Sequence, residues 1–475
     1  MRRILKTASL GALVAGFELG TARQASAHAF GVRYDLPVPL SLYLAGAGAA
    51  VVLSFIVAAW FVRSGTGEAD RLHYDLLRWR AARLLAAGAV RGAVKLASTA
   101  LFITILAAGL FGEQDPYENL APTMVWIIWW VGMAYVSALF GNLWALVNPW
   151  SAVFEAAEWV YARLRPGARL GFALAYPPWL GAWPACILFL AFAWAELVWP
   201  ARAEPSSLAI IILAYSALTW GAMLLFGRTA WLAGGEAFSV AFELISRFAP
   251  LEARAGAWNL RPPAIGLIAG ERLPPSRVIF VLLLLATVTF DGFKETSAWA
   301  AIEAAIGGDG PPGILAVTLG LLVFPLLFLA LFLVTCRLMA LAGGGRRGTA
   351  QLAGHFVTSL VPIAIAYHLA HYLSFMLING QLLIPLASDP FGFGWDLFGS
   401  ADYRADIAVV GARFAWYTAL SAIVAGHIIA LSLAHAVALR IYGDGWSAMR
   451  SQYPMLLLMV GYTVAGLWIL AQPLV

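Results

Sequence analysis

The stretch AYHLAHYLSFMLINGQ (Ala366–Gln381) is apolar enough to lie in a lipid bilayer, yet it carries two histidines. His368 and His371 are three residues apart, so on a helix they share one face. The whole chain is 62% hydrophobic and only 12% charged, with a mean hydropathy of +0.81. Apolar runs of about twenty residues recur along it, and a helix of that length spans the hydrocarbon core of a bilayer. We therefore predict an all-α, polytopic transmembrane helical bundle.

Ten apolar segments are each expected to cross the membrane. They lie at about 38–62, 93–111, 122–147, 179–199, 206–226, 277–298, 313–341, 355–385, 411–440 and 452–472. Lys and Arg accumulate on the cytoplasmic side of a membrane. With the mature N-terminus outside, twenty-one of them fall in inner connecting segments and five in outer ones. This distribution predicts a multi-pass protein of the bacterial inner (cytoplasmic) membrane, with both termini in the periplasm.

Residues 1–27 have the features of a secretory signal peptide. Three basic residues precede an apolar stretch that ends in Ala-Ser-Ala. Cleavage there would leave His28 at the N-terminus, where its amine and imidazole together would suit copper, unless its position is incidental. Glu18 within the apolar stretch favours the alternative of an uncleaved first helix. Residues 28–475 are expected to form a single integral membrane domain.

Two connecting segments, 150–165 and 230–248, mix charged residues with aromatic ones. This pattern is typical of amphipathic helices that lie in the plane of the membrane, and also of cytoplasmic connectors. We expect both segments near the inner surface, as interfacial helices.

Several functional classes are disfavoured by the sequence. It has no phosphate-binding loop, no dinucleotide-binding glycine motif and no G-x-S-x-G element, which argues against an ATPase or an ordinary serine hydrolase. The net charge of +5 resides in the inner segments and needs no nucleic-acid partner. Cys186 and Cys336 lie in apolar runs, where we expect core residues rather than a disulfide or a metal pair.

Ionisable residues of the sixth, eighth and ninth spans are expected to lie at similar depths. A helix rises about 1.5 Å per residue, which places His368, His371 and His427 roughly 20–24 Å from the inner face. The same count places Asp291 at about 21 Å and Glu295 at about 27 Å. Ionisable groups inside a bilayer are costly unless they are paired or bound. This layer is therefore the candidate functional site.

Imidazoles and a carboxylate on facing helices are the groups from which helical bundles build metal sites. We expect His368, His371, His427 and Asp291 to hold a divalent metal ion, which would be zinc, iron, manganese or copper. Further candidate ligands are Glu196, His435 and His28.

Two plainer interpretations remain open. Asp291 and Lys294 are close enough in sequence to form a local ion pair at an ordinary outer helix end. Histidines within spans are also often neutral residues that hydrogen-bond across helices, and His355 and His435, near the inner face, fit that description.

Six stretches of the chain carry a resemblance to a known family. They are AHAFGVRYDLPVPLSLYLAGAGAAVVLSF, TFDGFKETSAW, AYHLAHYLSFMLINGQ, SDPFGFGWDLFG, AGHIIALSLAH and SQYPMLLLMVGYT. Together they resemble the bacterial integral-membrane fenitrothion hydrolase (organophosphorus hydrolase) family, from about His28 to the C-terminus. The resemblance implies hydrolysis of an organophosphorus triester, with release of a nitrophenol from a dialkyl thiophosphate. It implies no catalytic residues.

The residues above are compatible with that chemistry. A bound metal ion would supply hydroxide near neutral pH and polarise the phosphoryl or thiophosphoryl group. An acidic nitrophenol needs no strong general acid to leave. Glu295 or Glu196 would bridge a second ion or accept a proton, and the lipophilic substrate would arrive from the bilayer. The expected catalytic residues are Asp291, Glu295, His368, His371 and His427.

Two other functions remain as alternatives. A transporter, or a protein that handles copper or another metal, would also place polar groups at one depth of a ten-span bundle. A membrane cytochrome would use paired histidines to bind haem. His355 and His368 are thirteen residues apart, which fits two stacked haems, but His427 and His435 are only eight apart.

Overall fold

The computed structural model describes residues 39–61, 73–172, 174–254, 256–268, 272–307, 313–345, 347–443 and 445–472. The predicted signal peptide and His28 lie outside these described residues. In chain order the helices are α1 (Leu40–Phe61), α2 (Arg80–Leu85), α3 (Gly88–Phe111), α4 (Leu120–Phe140), α5 (Trp144–Val147), α6 (Pro149–Leu164), α7 (Trp183–Leu197), α8 (Pro205–Phe226), α9 (Arg228–Gly234), α10 (Ala237–Ser246), α11 (Pro275–Lys294), α12 (Ser297–Gly307), α13 (Ile314–Ala342), α14 (Thr349–Ser388), α15 (Ala412–Tyr442) and α16 (Gly445–Leu470).

Nine helices in the described part of the chain are long and apolar enough to cross a membrane. They are α1, α3, α4, α8, α11, α13, α14, α15 and α16. The predicted fourth span is the shorter helix α7, whose 15 residues rise only about 22 Å against a hydrocarbon core of about 30 Å. Each of the ten predicted segments thus contains a helix. The prediction of an all-α polytopic bundle is confirmed, and the protein is a multi-pass membrane protein.

Two of the spanning helices are irregular. Residues Thr123–Gly132 of α4 form a π-helix, a wide form that usually occurs as a single turn and is frequent at functional sites. Helix α14 contains two tight 3-10 segments, Val357–Leu360 and Gly380–Leu382. The first directly precedes Pro362, which has no backbone N–H to donate to the preceding turn. Both irregular helices contribute side chains to the candidate site.

Connecting segments that were assigned to the same side of the membrane contact each other. Among the outer ones, the Glu113 N–H donates to the carbonyl of Phe391 at 2.8 Å. Among the inner ones, Arg440 donates to the carbonyl of Ile268 at 2.8 Å. These contacts support the predicted alternation, because an error in the number of spans would place such pairs on opposite sides.

A small antiparallel sheet joins two of the inner connections. Its strands are β1 (Tyr74–Asp75), β2 (Leu251–Arg254) and β3 (Ala257–Leu260), in the order β1-β3-β2. Leu260 pairs with Tyr74 on one side and with Leu251 on the other.

The two segments that were expected to be interfacial differ in the structure. Helix α6 is largely exposed beyond its first turns, as a surface helix should be. The segment 230–248 instead forms α9 and α10, and α10 is enclosed by its neighbours, with Phe242 and Leu244 fully buried. Its aromatic residues pack on α4 and α7 rather than on lipid. Amphipathic composition alone does not distinguish a surface helix from a short helix that is buried by neighbouring helices.

Helix α11 lies at the centre of the bundle. Most of its span is buried, and it packs against α7, α13 and α14. Helix α14 in turn packs against α15, and the missing side chain of Gly426 permits the close contact. A Cβ atom at Gly426 would lie 2.4 Å from the Cβ of Ala366 and 2.9 Å from the Pro362 carbonyl oxygen. The two cysteines, on α7 and α13, are buried free thiols, as expected.

Candidate functional site

Asp291, near the C-terminal end of α11, is the centre of a buried polar cluster. Its Oδ2 atom accepts a hydrogen bond from the Tyr372 hydroxyl at 2.6 Å and lies 2.8 Å from Nε2 of His371. Its Oδ1 atom lies 3.4 Å from Nζ of Lys294, one turn along the same helix. Asp291 is only 5% exposed. The ammonium group and the two hydrogen bonds supply the compensation that a buried carboxylate requires.

Lys294 connects this cluster with the outer end of α11. Its Nζ atom lies 3.3 Å from the carboxylate of Glu295 as well as near Asp291. The local ion pair between Asp291 and Lys294, one of the plainer interpretations of the sequence, is therefore present. Glu295, a predicted catalytic residue, pairs with the lysine and is the more exposed of the two carboxylates.

The face of His371 away from Asp291 borders Gly292. A Cβ atom at Gly292 would lie 3.0 Å from the Tyr367 hydroxyl, 3.1 Å from Ile469 and 3.6 Å from Nδ1 of His371. The Tyr367 hydroxyl is buried and has no hydrogen-bond partner within the protein. Glycine at this position thus permits Tyr367 of α14 and Ile469 of α16 to pack closely against α11.

His368 lies one turn before Tyr372 on α14 and is enclosed by aromatic rings. Its ring centroid is 4.8 Å from that of Tyr372, 5.4 Å from Tyr135 and 5.8 Å from Trp130. Trp130 belongs to the π-helical part of α4. The Nε2 atom of His368 is buried without a hydrogen-bond partner.

A cavity of about 40 Å³ adjoins the cluster. His368, Tyr372 and Glu196 line it near Asp291, and apolar residues such as Val281 and Val361 line the remainder. Glu196, which the sequence suggested as a further ligand, is thus placed beside His368.

His427, His435 and His355 lie apart from this cluster. On α15, Nδ1 of His427 lies 2.8 Å from the carbonyl oxygen of Ile423 in its own helix, and Nε2 has no partner. Nδ1 of His435 is within hydrogen-bonding distance of the side-chain amide of Gln452. His355 lies near the opposite end of α14. His435 therefore fits the interpretation as a core residue that hydrogen-bonds across helices.

The predicted layer of ligands is only partly assembled. The structure brings Asp291 and His371 together, with His368 close by, but His427 does not join them. Within the described ranges, no three His, Cys, Asp or Glu side chains are arranged to hold a metal ion. The four predicted ligands thus do not fit a single metal site. Residue counting gives depth along a helix, but it does not give the rotation of the helix about its axis.

Four aromatic residues of the site were missed from the sequence: Tyr372, Tyr367, Trp130 and Tyr135. The two tyrosines of α14 flank the histidines in the motif YHLAHY. Their spacing was a usable signal, since Tyr372 is four residues from His368 and shares its face. Trp130 and Tyr135 had no such signal, because a π-helix shifts the faces of the residues that follow it.

No family model, curated protein or solved structure matches the chain. The resemblance to fenitrothion hydrolases therefore stays a prediction.

Proposed function

We propose that the protein hydrolyses lipophilic organophosphorus triesters of the fenitrothion type, in the inner membrane, with the Asp291 cluster as its acid–base site. The observation that carries this proposal is the buried arrangement of Asp291, His371 and Tyr372, in which one carboxylate oxygen contacts both an imidazole and a phenol. A carboxylate that orients an imidazole is the usual support of a general base. The substrate class is supported by the resemblance of the six sequence stretches alone.

In this mechanism His371 is the general base. A carboxylate can only accept hydrogen bonds, so His371 donates from Nε2–H, and its neutral form has Nδ1 as the proton acceptor. Nδ1 lies on the Gly292 side of the ring, and in this mechanism a water molecule that reaches that side is the nucleophile. His371 takes a proton from this water as its oxygen attacks phosphorus, and the bond from phosphorus to the aryl oxygen breaks. The nitrophenolate leaves with the electron pair of that bond.

The remaining groups of the cluster have electrostatic roles. Asp291 stabilises the imidazolium that forms when His371 accepts the proton, and Tyr372 holds the carboxylate in position. Lys294 keeps Asp291 ionised and provides positive charge for the developing phosphorane. No step is assigned to a metal ion, because the four predicted ligands do not form one site. Binding of a zinc, iron, manganese or copper ion stays a prediction, which elemental analysis of the purified wild type, His368→Ala and Asp291→Ala tests.

The proposal is tested by turnover of fenitrothion in proteoliposomes, followed through nitrophenol absorbance. His371→Gln should lower kcat by about 10²- to 10⁴-fold, the usual contribution of a general base. Tyr372→Phe should have a smaller effect, since it removes one of the two hydrogen bonds to Oδ2. His355→Gln is the matched control, because it changes a histidine of the same helix outside the cluster. Full turnover by His371→Gln would reject the mechanism.

Proton-coupled transport is the second candidate, and the size of the cavity favours it. Pockets for drug-sized ligands enclose about 300–1,000 Å³, whereas the cavity beside the cluster has about 40 Å³. A triester would therefore require side chains or helices to move, whereas a proton would not. Buried ionisable pairs within a span are typical of proton relays. Proton flux in proteoliposomes without hydrolysis would support this candidate, and a Soret band in the purified protein would support the haem alternative.

Inner-membrane location with both termini outside is proposed from the distribution of Lys and Arg. Labelling of single cysteines introduced in the loop that follows α14 tests it. This loop should react with a membrane-impermeant reagent in spheroplasts, and the connection between α8 and α11 should react only after lysis.

A further inference from the structure

The unpartnered Nε2 atom of His368 needs a physical explanation. The residue is 9% exposed, and this atom has no hydrogen-bond partner within the protein. Most buried polar atoms are hydrogen-bonded, and an unpaired one often marks the position of a bound water molecule. Removal of a polar group from water without a partner would otherwise cost about 1–3 kcal/mol.

Space for water exists directly beside this atom, because His368 lines the cavity of about 40 Å³. A single buried water molecule needs on the order of 10–15 Å³ of such space and two to four polar partners. The cavity therefore has room for about three water molecules. Three of its polar lining groups lie together, because Tyr372 is near Glu196 and its ring centroid is 4.8 Å from that of His368.

Glu196 adds a second titratable side chain to the lining of this cavity. Its carboxylate comes from α7, whereas His368 comes from α14, so two titratable groups from different helices face the same small volume. Three charged groups lie near Glu196: Asp291, Lys294 and Arg202. Trp130 and Tyr135 on α4, and His371 and Tyr372 on α14, complete the polar surroundings of the two groups.

We propose that this cavity is a hydrated proton-binding site, in which water bridges Nε2 of His368 and the carboxylate of Glu196. One excess proton resides on this assembly, as imidazolium, carboxylic acid or hydronium, and only N–H and O–H bonds form or break as it moves. Ile245, Val281 and Val361 also line the cavity and offer no proton acceptor, so the proton exchanges through Glu196 and the charged groups near it. The proposal goes beyond hydrolysis and holds whether or not the protein cleaves triesters.

The presence of water is tested by X-ray hydroxyl-radical footprinting of the purified full-length protein. Trp130 and Trp144 form a matched pair, because both are buried tryptophans. Only Trp130 lines this cavity. Radicals form from the water that a residue contacts, so Trp130 should oxidise roughly tenfold faster than Trp144. Equal rates at the two residues would show a dry cavity and overturn the proposal.

The bound proton is tested by infrared difference spectroscopy during a pH change. The wild type should show the C=O band of a buried protonated carboxyl group, which Glu196→Gln should lack and His368→Gln should shift. Glu204→Gln is the control, since this glutamate begins α8 at the surface. An unchanged band in Glu196→Gln would overturn the assignment. Fenitrothion turnover is measured on the same samples, so that the two proposals can fail separately. Loss of turnover while Trp130 is still oxidised counts against hydrolysis and not against the hydrated proton site.

Discussion

Replacement of Asp291 by asparagine tests whether the buried cluster is held together by charge. The substitution preserves the size of the side chain and removes its negative charge. Only 16% of the Lys294 side chain is exposed. After the substitution, Glu295 is the remaining anionic neighbour of its ammonium group. It also removes the anionic acceptor of the Tyr372 hydroxyl and of His371.

The size of the effect follows from these contacts. Removal of one partner from a buried ion pair costs about 3–5 kcal/mol, because the other charge stays buried. Glu295 retains Lys294 at 3.3 Å, which favours the lower end of that range. Asparagine still accepts hydrogen bonds, so that part of the interaction is only weakened. We therefore expect Asp291→Asn to lower the free energy of unfolding by about 3 kcal/mol.

Unfolding in mixed micelles with increasing SDS, followed by tryptophan fluorescence, measures this difference. Glu295→Gln is the control, because its carboxylate is more exposed and has one cationic partner, and it should cost less than about 1 kcal/mol. The double variant Asp291→Asn, Lys294→Met should be less destabilised than the sum of the two single variants, since it also removes the ammonium group that has lost Asp291. Stability of Asp291→Asn within about 0.5 kcal/mol of the wild type would refute this account of the cluster.

Three further predictions concern the bundle around the site. Gly426→Leu should lower the free energy of unfolding by about 3 kcal/mol or prevent folding, because its Cβ would lie 2.4 Å from that of Ala366. Gly461→Ala is the control in the same SDS titration, because a Cβ atom there would have no atom within 4 Å. Burial acts to raise the pKa of Glu155, but the hydrogen bond and positive charge of Lys95 bring it below its ordinary value. The ion pair therefore stabilises the fold above the unfolded carboxyl pKa of about 4.3, and this stabilisation is lost as the pH falls through the lower folded pKa. Lys95→Met should therefore cost about 0.5 kcal/mol at pH 7, because only Arg228 then remains on this carboxylate, and less as the pH falls below the unfolded carboxyl pKa. A cost that does not fall with pH would contradict this. Both buried cysteines should react with a maleimide only after denaturation in SDS, and rapid labelling in native micelles would contradict their position in the core.

The helices of the fold were predictable because a bilayer constrains both the length and the hydrophobicity of the segments that cross it. An apolar run of about twenty residues has few structures available in lipid other than a helix, since its backbone groups must bond to one another. Helix α7 shows the limit of this rule. Its sequence suggested a full span, and only the structure ends the helix at Leu197, after 15 residues.

The candidate site was predictable only in part, because its contacts depend on how the helices are rotated. Asp291 and His371 were expected to share a layer and do meet, at 2.8 Å. His427, at a similar predicted depth, bonds within its own helix. Glu196 was suggested as a ligand, but its position in the same cavity as His368 could not be derived from its place in the chain.

The sequence by itself determined which segments are helices and how far along each one an ionisable residue lies, because hydrophobicity and the rise per residue are local properties. Only the tertiary structure decided which side chains face one another. The π-helical turns of α4 and the close approaches at Gly426 and Gly292 together set the rotation of α4 and α14 about their axes. Rotation depends on packing against neighbours that are distant in the chain, and no local pattern encodes it.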